Sequence, residues 1–246
     1  MIFNAGTLAA GWLSVALAAS KDKDRPALCK SVCIDLYPEG VRLVSTDSYM
    51  LLRTWVPNAE AEADLTPEPD VDDAPIAQAI ALDPYGRGKG FLAHVLRLAP
   101  DDAAAEPVHV RMDLGVVEPE AEEGQPTFAG MEARWCVIEH PDHERLKLRL
   151  HEGEYPEWRK LMLGFGAVAT ERISLNPEIV GRLARIAKFM PTAKLGWTFG
   201  GENAMARVEV IDSFPFIEGV VMPVRWDLER NAPWVDPAAT DAESDA

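Results

Sequence analysis

The sequence predicts an α+β fold built from three copies of one unit, each with a strand, a helix and three further strands. Two observations lead to this prediction. Apolar residues recur with helical spacing in three separate segments, and each segment is followed by short apolar runs divided by turn residues. A helix lying on a small antiparallel sheet buries only one side of each, so neighbouring units must pack together. We therefore expect the helices on one face of antiparallel sheets.

The first unit takes up the N-terminal part of the chain. Its predicted helix runs from about Leu8 to Ala19 with Thr7 as N-cap, because apolar residues within it fall on one face. After residue 30 the pattern changes to period two, which indicates strands. The predicted strands are Met1–Phe3, Val32–Leu36, Val41–Val44 and Tyr49–Val56.

The second and third units repeat this order of elements without repeating its sequence. The second helix is predicted at Phe91–Leu98, among strands at Ile80–Leu82, Val108–Leu114, Met131–Ile138 and Arg145–Leu150. In the third unit Asn176 is a predicted N-cap and Pro177 the first helical residue of a helix that ends near Phe189. Its predicted strands are Arg172–Leu175, Leu195–Phe199, Met205–Ile211 and Phe216–Val221.

Two segments lie outside the repeats. Residues 58–75 are acidic and contain prolines without an apolar period, which predicts a long exposed linker. The C-terminal residues 229–246 are rich in Pro, Ala and Asp, which predicts a disordered acidic tail. The units then divide the chain into a first domain at 1–158, with two units and the linker, and a second, shorter domain at 159–228.

Charge and cysteine content limit the class of function. The chain has 40 acidic and 24 basic residues and a formal net charge of -16, which argues against nonspecific coating of nucleic acid. Its three cysteines, Cys29, Cys33 and Cys136, are too few for a disulfide scaffold, and they favour a reducing, cytoplasmic location. The longest apolar run, Leu8–Ala19, is too short to span a bilayer, so we expect no membrane association.

The sequence contains only weak motifs for phosphate binding or metal binding. Gly86–Gly90 precedes a helix, but it lacks the spacing of a phosphate-binding loop. Cys136, His140 and His143 have a spacing that could bind zinc, but no second ligand pair accompanies them, and turn histidines are the favoured interpretation. With no catalytic arrangement, metal set or cofactor motif, the sequence predicts a binding protein and not an enzyme.

Three stretches resemble the bacterial DNA polymerase sliding clamp, the beta processivity factor. Arg25–Val32 followed by Gly40–Asp47 resembles the start of that family's middle domain, with its Ala-Thr-Asp-Gly corner. Glu154–Leu161 resembles the segment before the last domain, and Val220–Arg225 resembles the Val-Val-Met-Pro-Met-Arg ending. The three stretches lie in the family's order within residues 1–226. The resemblance implies a sliding-clamp fold of one or more clamp domains.

The resemblance also implies a groove that binds apolar peptides from polymerases and repair factors. Methionine and branched aliphatic side chains suit such a groove because they can repack around different ligands. By periodicity alone the same residues could be strand core. The implied groove residues are Thr46, Asp47, Ser48, Tyr49, Met50, Leu51, Leu161, Leu163, Val220, Val221, Met222, Pro223 and Val224.

A second implied surface faces duplex DNA. Arg182, Arg185 and Lys188 recur every three residues opposite the apolar stripe of the third helix, where contacts to phosphates would carry no sequence information. Without the resemblance, a solvated helix face is the favoured interpretation. The further implied DNA-facing residues are Arg87, Lys89, Arg97, Lys21, Lys23 and Arg25.

Two departures from the family limit these expectations. The chain has three units where a family member has six, and Ser48-Tyr49-Met50 replaces the family's Gly-His-Arg. The expected function is a DNA sliding clamp, shortened and of bacteriophage or accessory origin, that forms a dimeric or trimeric ring around duplex DNA with the help of a clamp loader and tethers a polymerase. The alternative is a clamp-like adaptor or decoy that binds such peptides without forming a ring.

Overall fold

Eleven strands form two antiparallel sheets in the part of the chain that the structure describes. The structure, a computed structural model, describes residues 1–60, 68–82, 87–98, 107–118, 133–141, 145–163, 167–169, 173–201, 204–212 and 214–224. The strands are β1 (Ile2–Asn4), β2 (Ser31–Tyr37), β3 (Gly40–Thr46), β4 (Met50–Pro57), β5 (Ala77–Leu82), β6 (His109–Glu118), β7 (Ala133–Glu139), β8 (Leu146–Arg149), β9 (Lys194–Phe199), β10 (Ala206–Ile211) and β11 (Ile217–Val221).

Four α-helices accompany the strands. They are α1 (Ala5–Val15), α2 (Arg87–Leu98), α3 (Trp158–Leu163) and α4 (Pro177–Leu183). Three 3₁₀ turns lie at Ala16–Ala18, Ala27–Lys30 and Ala184–Lys188. Within the described ranges, none of these helices is long and apolar enough to cross a membrane.

The first two units exchange their first strands. The four-stranded sheet has the order β1-β6-β7-β8, and the seven-stranded sheet has the order β5-β2-β3-β4-β11-β10-β9. Strand β1 of the first unit therefore pairs with β6 of the second, and β5 of the second pairs with β2 of the first. Because each unit completes the other's sheet, the two units cannot separate without breaking backbone hydrogen bonds.

The third unit joins the first through one strand pair. In the register of β11 on β4, Val220 lies opposite Leu51 and Gly219 opposite Leu52. A Cβ atom on Gly219 would lie 1.9 Å from the carbonyl oxygen of Leu51, far inside contact distance. Glycine at this position therefore permits the close approach of the two backbones that makes one continuous sheet of the two units.

The seven-stranded sheet is covered on both faces. Its inner face carries Leu43 and Leu52 and packs in the main core with α1, α2 and α4. Its outer face carries Leu51 and Val220, which form a second cluster with Trp158 and other residues of the 155–162 segment. The fold class is confirmed: this is an α+β protein with helices on one face of antiparallel sheets, to which the short helix α3 adds a cover on the other face.

Several local predictions are confirmed and two are wrong. Asn176 caps α4 by accepting a hydrogen bond from the N–H of Glu178, as predicted. The N-cap of α1 is Asn4 and not Thr7: the Oδ1 atom of Asn4 accepts from the Thr7 N–H at 2.9 Å, which moves the helix start to Ala5. The predicted strand at 172–175 is absent from its described residues 173–175, where the Ser174 carbonyl accepts a hydrogen bond from the Val224 N–H.

The linker prediction needs a correction in its described second part. Glu68 is about one-fifth exposed, and its Oε1 atom accepts from Arg42 at 2.9 Å and from Arg53 at 2.7 Å. The carbonyl oxygen of Pro69 also accepts from Arg42. Residues 68–73 are therefore held against the outer face of the sheet, because two buried guanidinium groups need acceptors there. The predicted linker at 61–67 and the predicted tail at 229–246 lie outside the described residues.

Candidate partner-binding surfaces

The corner between β3 and β4, residues Thr46–Met50, is built by two side chains that replace a regular hairpin. The Oδ1 atom of Asp47 accepts from the N–H groups of Tyr49 and Met50, both at 2.9 Å. The hydroxyl of Thr46 donates to the Met50 carbonyl at 2.9 Å and accepts from the Ser48 N–H at 3.1 Å. Short polar side chains at these positions satisfy the turn's backbone groups, so the Thr-Asp pair fixes the corner's shape.

Ser48 is the residue of the corner that has a left-handed backbone conformation. Its φ is 78°, a conformation that glycine adopts without strain and serine does not. The resemblance places glycine at this position, a residue that suits the same left-handed conformation. The side chain of the next residue, Tyr49, is then carried outward and is 52% exposed.

The corner and the C-terminal segment are brought together, as the resemblance implies. Beyond the β4–β11 pair, the Met222 N–H donates to the Tyr49 carbonyl at 2.8 Å. Because a sequence separation of about 170 residues is closed by backbone pairing, the positions of Tyr49 and Met222 relative to each other are fixed by the sheet.

The implied groove residues divide into buried and exposed sets. Met50, Leu51, Val220 and Val221 are at most 3% exposed, so they are strand core, and their assignment to a groove wall is corrected. Thr46 and Asp47 are also buried, and their side chains fix the shape of the corner through hydrogen bonds to its backbone. The exposed set, which we name the apolar rim, consists of Tyr49, Leu161, Leu163, Met222 and Val224. Ser48 is exposed and Pro223 half-buried beside it.

Arg182 does not face outward, which corrects its assignment to the DNA-facing surface. Its Nε atom donates to the Leu17 carbonyl at 2.8 Å, and its Nη2 atom donates to the Ala19 carbonyl at 3.2 Å. Its Nη1 atom donates to Oδ2 of Asp47 at 2.5 Å. The guanidinium thus satisfies carbonyls at the end of the first helix and pairs with the corner's carboxylate. Arg182 therefore links α4 to the end of the first helix and to the corner.

The other implied basic residues have different positions. Arg185 and Lys188 are exposed, and Ile179, Leu183 and Ile186 are buried opposite them, as predicted. Lys21, Arg25 and Arg185 line a depression of about 340 Å³ together with Tyr49 and Arg182. Lys23 is exposed and lies outside that lining. Arg87, Lys89 and Arg97 belong to α2, but their side chains lie outside the described part of the chain.

Arg25 and Tyr49 make a direct contact at the edge of this depression. The Nη2 atom of Arg25 donates to the Tyr49 hydroxyl at 3.2 Å, and the guanidinium carbon lies 5.1 Å from the ring centroid. The hydrogen bond from Arg25 to Tyr49 raises the pKa of the guanidinium, which stays charged. The depression therefore shares one residue, Tyr49, with the apolar rim. Its charged lining is mixed, with Asp22, Asp47 and Glu178 beside four basic side chains.

A row of ionic contacts that the sequence pattern does not predict crosses the outer face of the sheet. Both carboxylate oxygens of Glu218 are used, Oε1 by Arg53 (Nε at 2.6 Å) and Oε2 by Arg207 (Nη2 at 2.5 Å). Asp35 on β2 accepts from Arg159 at 2.5 Å. Three guanidinium groups lie 4.6–6.0 Å from the ring of Trp158. A signal was present, since Asp35, Arg42, Arg53 and Glu218 are charged residues within strands that are otherwise largely apolar.

Two of the three cysteines have thiols that burial holds in the protonated form. Burial raises the pKa of the Cys136 thiol to about 12, and it raises the pKa of Cys33 well above its usual range. All three cysteines are buried. No group of three metal-ligating side chains occurs in the described ranges, and His143 lies outside them.

No model of a known protein family matches the chain, and no curated protein sequence matches it. Among solved structures it is similar to the DNA polymerase III subunit beta of Pseudomonas aeruginosa, with a TM-score of 0.58 and 13% identity over 92% of this chain and 66% of that one. The griselimycin-bound sliding clamp of the same organism gives a TM-score of 0.56 and 12% identity, over 92% and 65%.

The beta chain of Streptococcus pneumoniae DNA polymerase III gives a TM-score of 0.52 and 14% identity over 92% of this chain and 64% of that one. The chain therefore spans about two thirds of the length of each of these clamps or slightly less. At sequence identities this low, the similarity supports a shared fold and nothing more. The chain has the fold of the bacterial DNA polymerase sliding clamps.

Proposed function

We propose that the chain is a non-enzymatic sliding-clamp protein of DNA replication, which binds apolar peptides of a DNA polymerase and other replication proteins at the apolar rim. The observation that carries this proposal is the corner itself. A hydrogen-bonded Thr-Asp turn is joined to the residue after β11 by the bond from the Met222 N–H to the Tyr49 carbonyl, and Tyr49, Met222 and Val224 are each about half exposed. Half-exposed apolar side chains on a rigid frame suit a helix or strand of a partner.

The peptide site is tested with a synthetic peptide that copies the C-terminal tail of the DNA polymerase encoded in the same genome. Met222→Asp should weaken its binding about a hundredfold or more, because a carboxylate would have to be buried against the apolar ligand. Ile211→Asp is the matched control, since Ile211 is exposed to the same extent at the far end of the β10–β11 hairpin. Fluorescence anisotropy of the labelled peptide measures both. Equal affinities for the two variants would refute the peptide site.

We further propose that copies of the chain close into a dimeric or trimeric ring around duplex DNA, opened by a clamp loader, with Arg185 and Lys188 facing the phosphates. Arg185→Glu/Lys188→Glu should reduce retention on circular DNA and lower the dependence of duplex affinity on salt. Lys160→Glu/Lys194→Glu makes the same change of charge at two exposed lysines elsewhere. Arg182 is left unchanged because its contacts are internal. Equal retention of both double variants would refute the DNA-facing role.

A second candidate function is a clamp-like adaptor or decoy that binds peptides without encircling DNA. The internal pairing of Arg182 favours it, because one of three predicted phosphate contacts on the helix is already used. Light scattering separates the two candidates. A monomer at micromolar concentration would refute the ring and leave the adaptor, whereas a dimer or trimer would support the ring.

A further inference from the structure

The apolar rim has no occupant among the described residues, and the chain that leaves it has a suitable composition. The described structure ends at Val224, which is itself part of the rim. The next 22 residues, 225–246, contain four large apolar side chains within ten positions, namely Trp226, Leu228, Trp234 and Val235. Tryptophan is the residue type most enriched in the anchoring positions of protein interfaces.

We propose that residues 225–246, which we name the C-terminal segment, dock on the apolar rim of their own chain and compete there with partner peptides. The competition rests on the proposed function of the rim as a peptide site, whereas the docking itself does not. The occupant is thus this chain's own segment, with its tryptophans against Tyr49 and Met222.

The point of exit favours docking on the same chain. The Val224 N–H donates to the Ser174 carbonyl at 2.8 Å, which fixes the start of the C-terminal segment beside Met222. Trp226 follows two residues later. Trp234 follows ten residues later, so it lies at most about 35 Å from Val224 even along a fully extended chain. A tether this short gives an effective concentration of about a millimolar, so even a weak intrinsic affinity keeps the rim occupied for much of the time.

The acidic charge of the C-terminal segment favours one part of the surface over the rest. The C-terminal segment has six acidic and two basic residues, and the whole chain has a net charge of -16, so most of the surface repels it. The depression that adjoins the rim at Tyr49 differs from this by a small cationic excess: its lining has four basic side chains, Lys21, Arg25, Arg182 and Arg185, against three acidic ones, Asp22, Asp47 and Glu178. Trp226 and Leu228 alternate with Asp227 and Glu229, so apolar contact with the rim and acidic contact with the depression are compatible.

The docking is tested by hydrogen exchange on the full chain, read by mass spectrometry over residues 46–50 and 220–224. Trp226→Ala/Leu228→Ala/Trp234→Ala should speed exchange there by about threefold or more, because a bound segment slows local opening of the corner. Thr240→Ala/Ser244→Ala is the control within the same segment and should leave the rates at wild-type values. Circular dichroism checks that each variant retains the fold.

The exchange rates and the peptide affinity together decide between docking on the same chain, docking on a second copy and no docking. Equal exchange rates in all three proteins would overturn the proposal. Protection that grows as the protein is concentrated from about 1 to about 50 µM would assign the rim to a second copy and would also overturn it. If the polymerase peptide binds none of the proteins while the tryptophan variant still loses protection, the proposed function fails and the docking stands. If the docking and the function both hold, the tryptophan variant binds that peptide about tenfold more tightly than wild type.

Discussion

The two faces of the seven-stranded sheet are buried by different means. The inner face is apolar and packs on helices that the sequence pattern predicts, with Leu43 and Leu52 fully buried. The outer face is buried as well, but it carries Arg42, Arg53 and Glu218, each at most 7% exposed. An apolar face gains stability from area removed from water, whereas a charged face is stable only while each charge keeps its partner. The difference predicts opposite responses to substitution.

The largest effect is expected from removing a carboxylate on the outer face. Glu218→Ala leaves both Arg53 and Arg207 without their buried acceptor, which should lower the free energy of unfolding by about 3–5 kcal/mol. Glu209→Ala is the matched control on the neighbouring strand β10, because Glu209 pairs with Arg207 at the surface and its loss should cost at most about 1 kcal/mol. Urea unfolding measures both. Equal losses would mean that the outer face is not charge-dependent.

The inner face should respond to lost volume instead. Leu52→Ala is expected to lower the free energy of unfolding by about 2–5 kcal/mol through lost burial and the remaining cavity.

Replacing the outer pair together, Arg53→Met with Glu218→Leu, should cost much less than Glu218→Ala alone, since apolar residues need no partner. A double variant as unstable as the single one would contradict this account of the outer face.

Stability should fall in alkaline solution through two buried thiols, Cys136 in the main core and Cys33 on the outer face of the seven-stranded sheet. An unfolded thiol loses its proton near pH 8.5, whereas burial raises the pKa of Cys136 to about 12. Between these values the folded state binds more protons, so unfolding becomes easier by up to about 1.4 kcal/mol per pH unit. Cys136→Ala in the main core and Cys33→Ala on the outer face should both flatten the slope. A slope unchanged by Cys33→Ala would show that water reaches the outer face.

The smallest effect is expected at the corner. Ser48→Gly relieves the left-handed conformation and should raise the free energy of unfolding by about 1 kcal/mol. Ser14→Gly, within the interior of α1, is the contrasting change and should lower it, because glycine there only adds freedom to the unfolded chain. Thermal unfolding distinguishes the two. A destabilised Ser48→Gly variant would show that the contact of its hydroxyl with Cys29 outweighs the backbone strain.

Much of the fold follows from local sequence. Asn176 and Pro177 start α4 because capping chemistry acts within a few residues, and the spacing of Ile179, Leu183 and Ile186 selects its buried face. The Thr-Asp corner and the Val-Met-Pro segment are also recognisable as short strings. Their joining is not local, since it depends on the pairing of β4 with β11.

The candidate site could be predicted only in part, for the same reason. The sequence identifies Tyr49 and Met222 as apolar residues of the right kind, but periodicity does not separate them from Met50 and Val221, which the sheet buries. A basic residue on a helix is expected to face solvent. Arg182 instead donates to the carbonyls of Leu17 and Ala19, which come within its reach because α4 packs beside the end of the first helix.

By itself, the sequence determined the class of fold, the three apolar helices and the turn chemistry of the corner, because these depend on hydrogen bonds and apolar spacing within a few residues. Only the tertiary structure decided which charges are buried and which apolar residues remain exposed. Arg53 meets Glu218, and Arg182 meets Leu17, each across 165 residues of sequence. The burial and pairing of such groups depend on neighbours supplied by other units, and no local pattern records them.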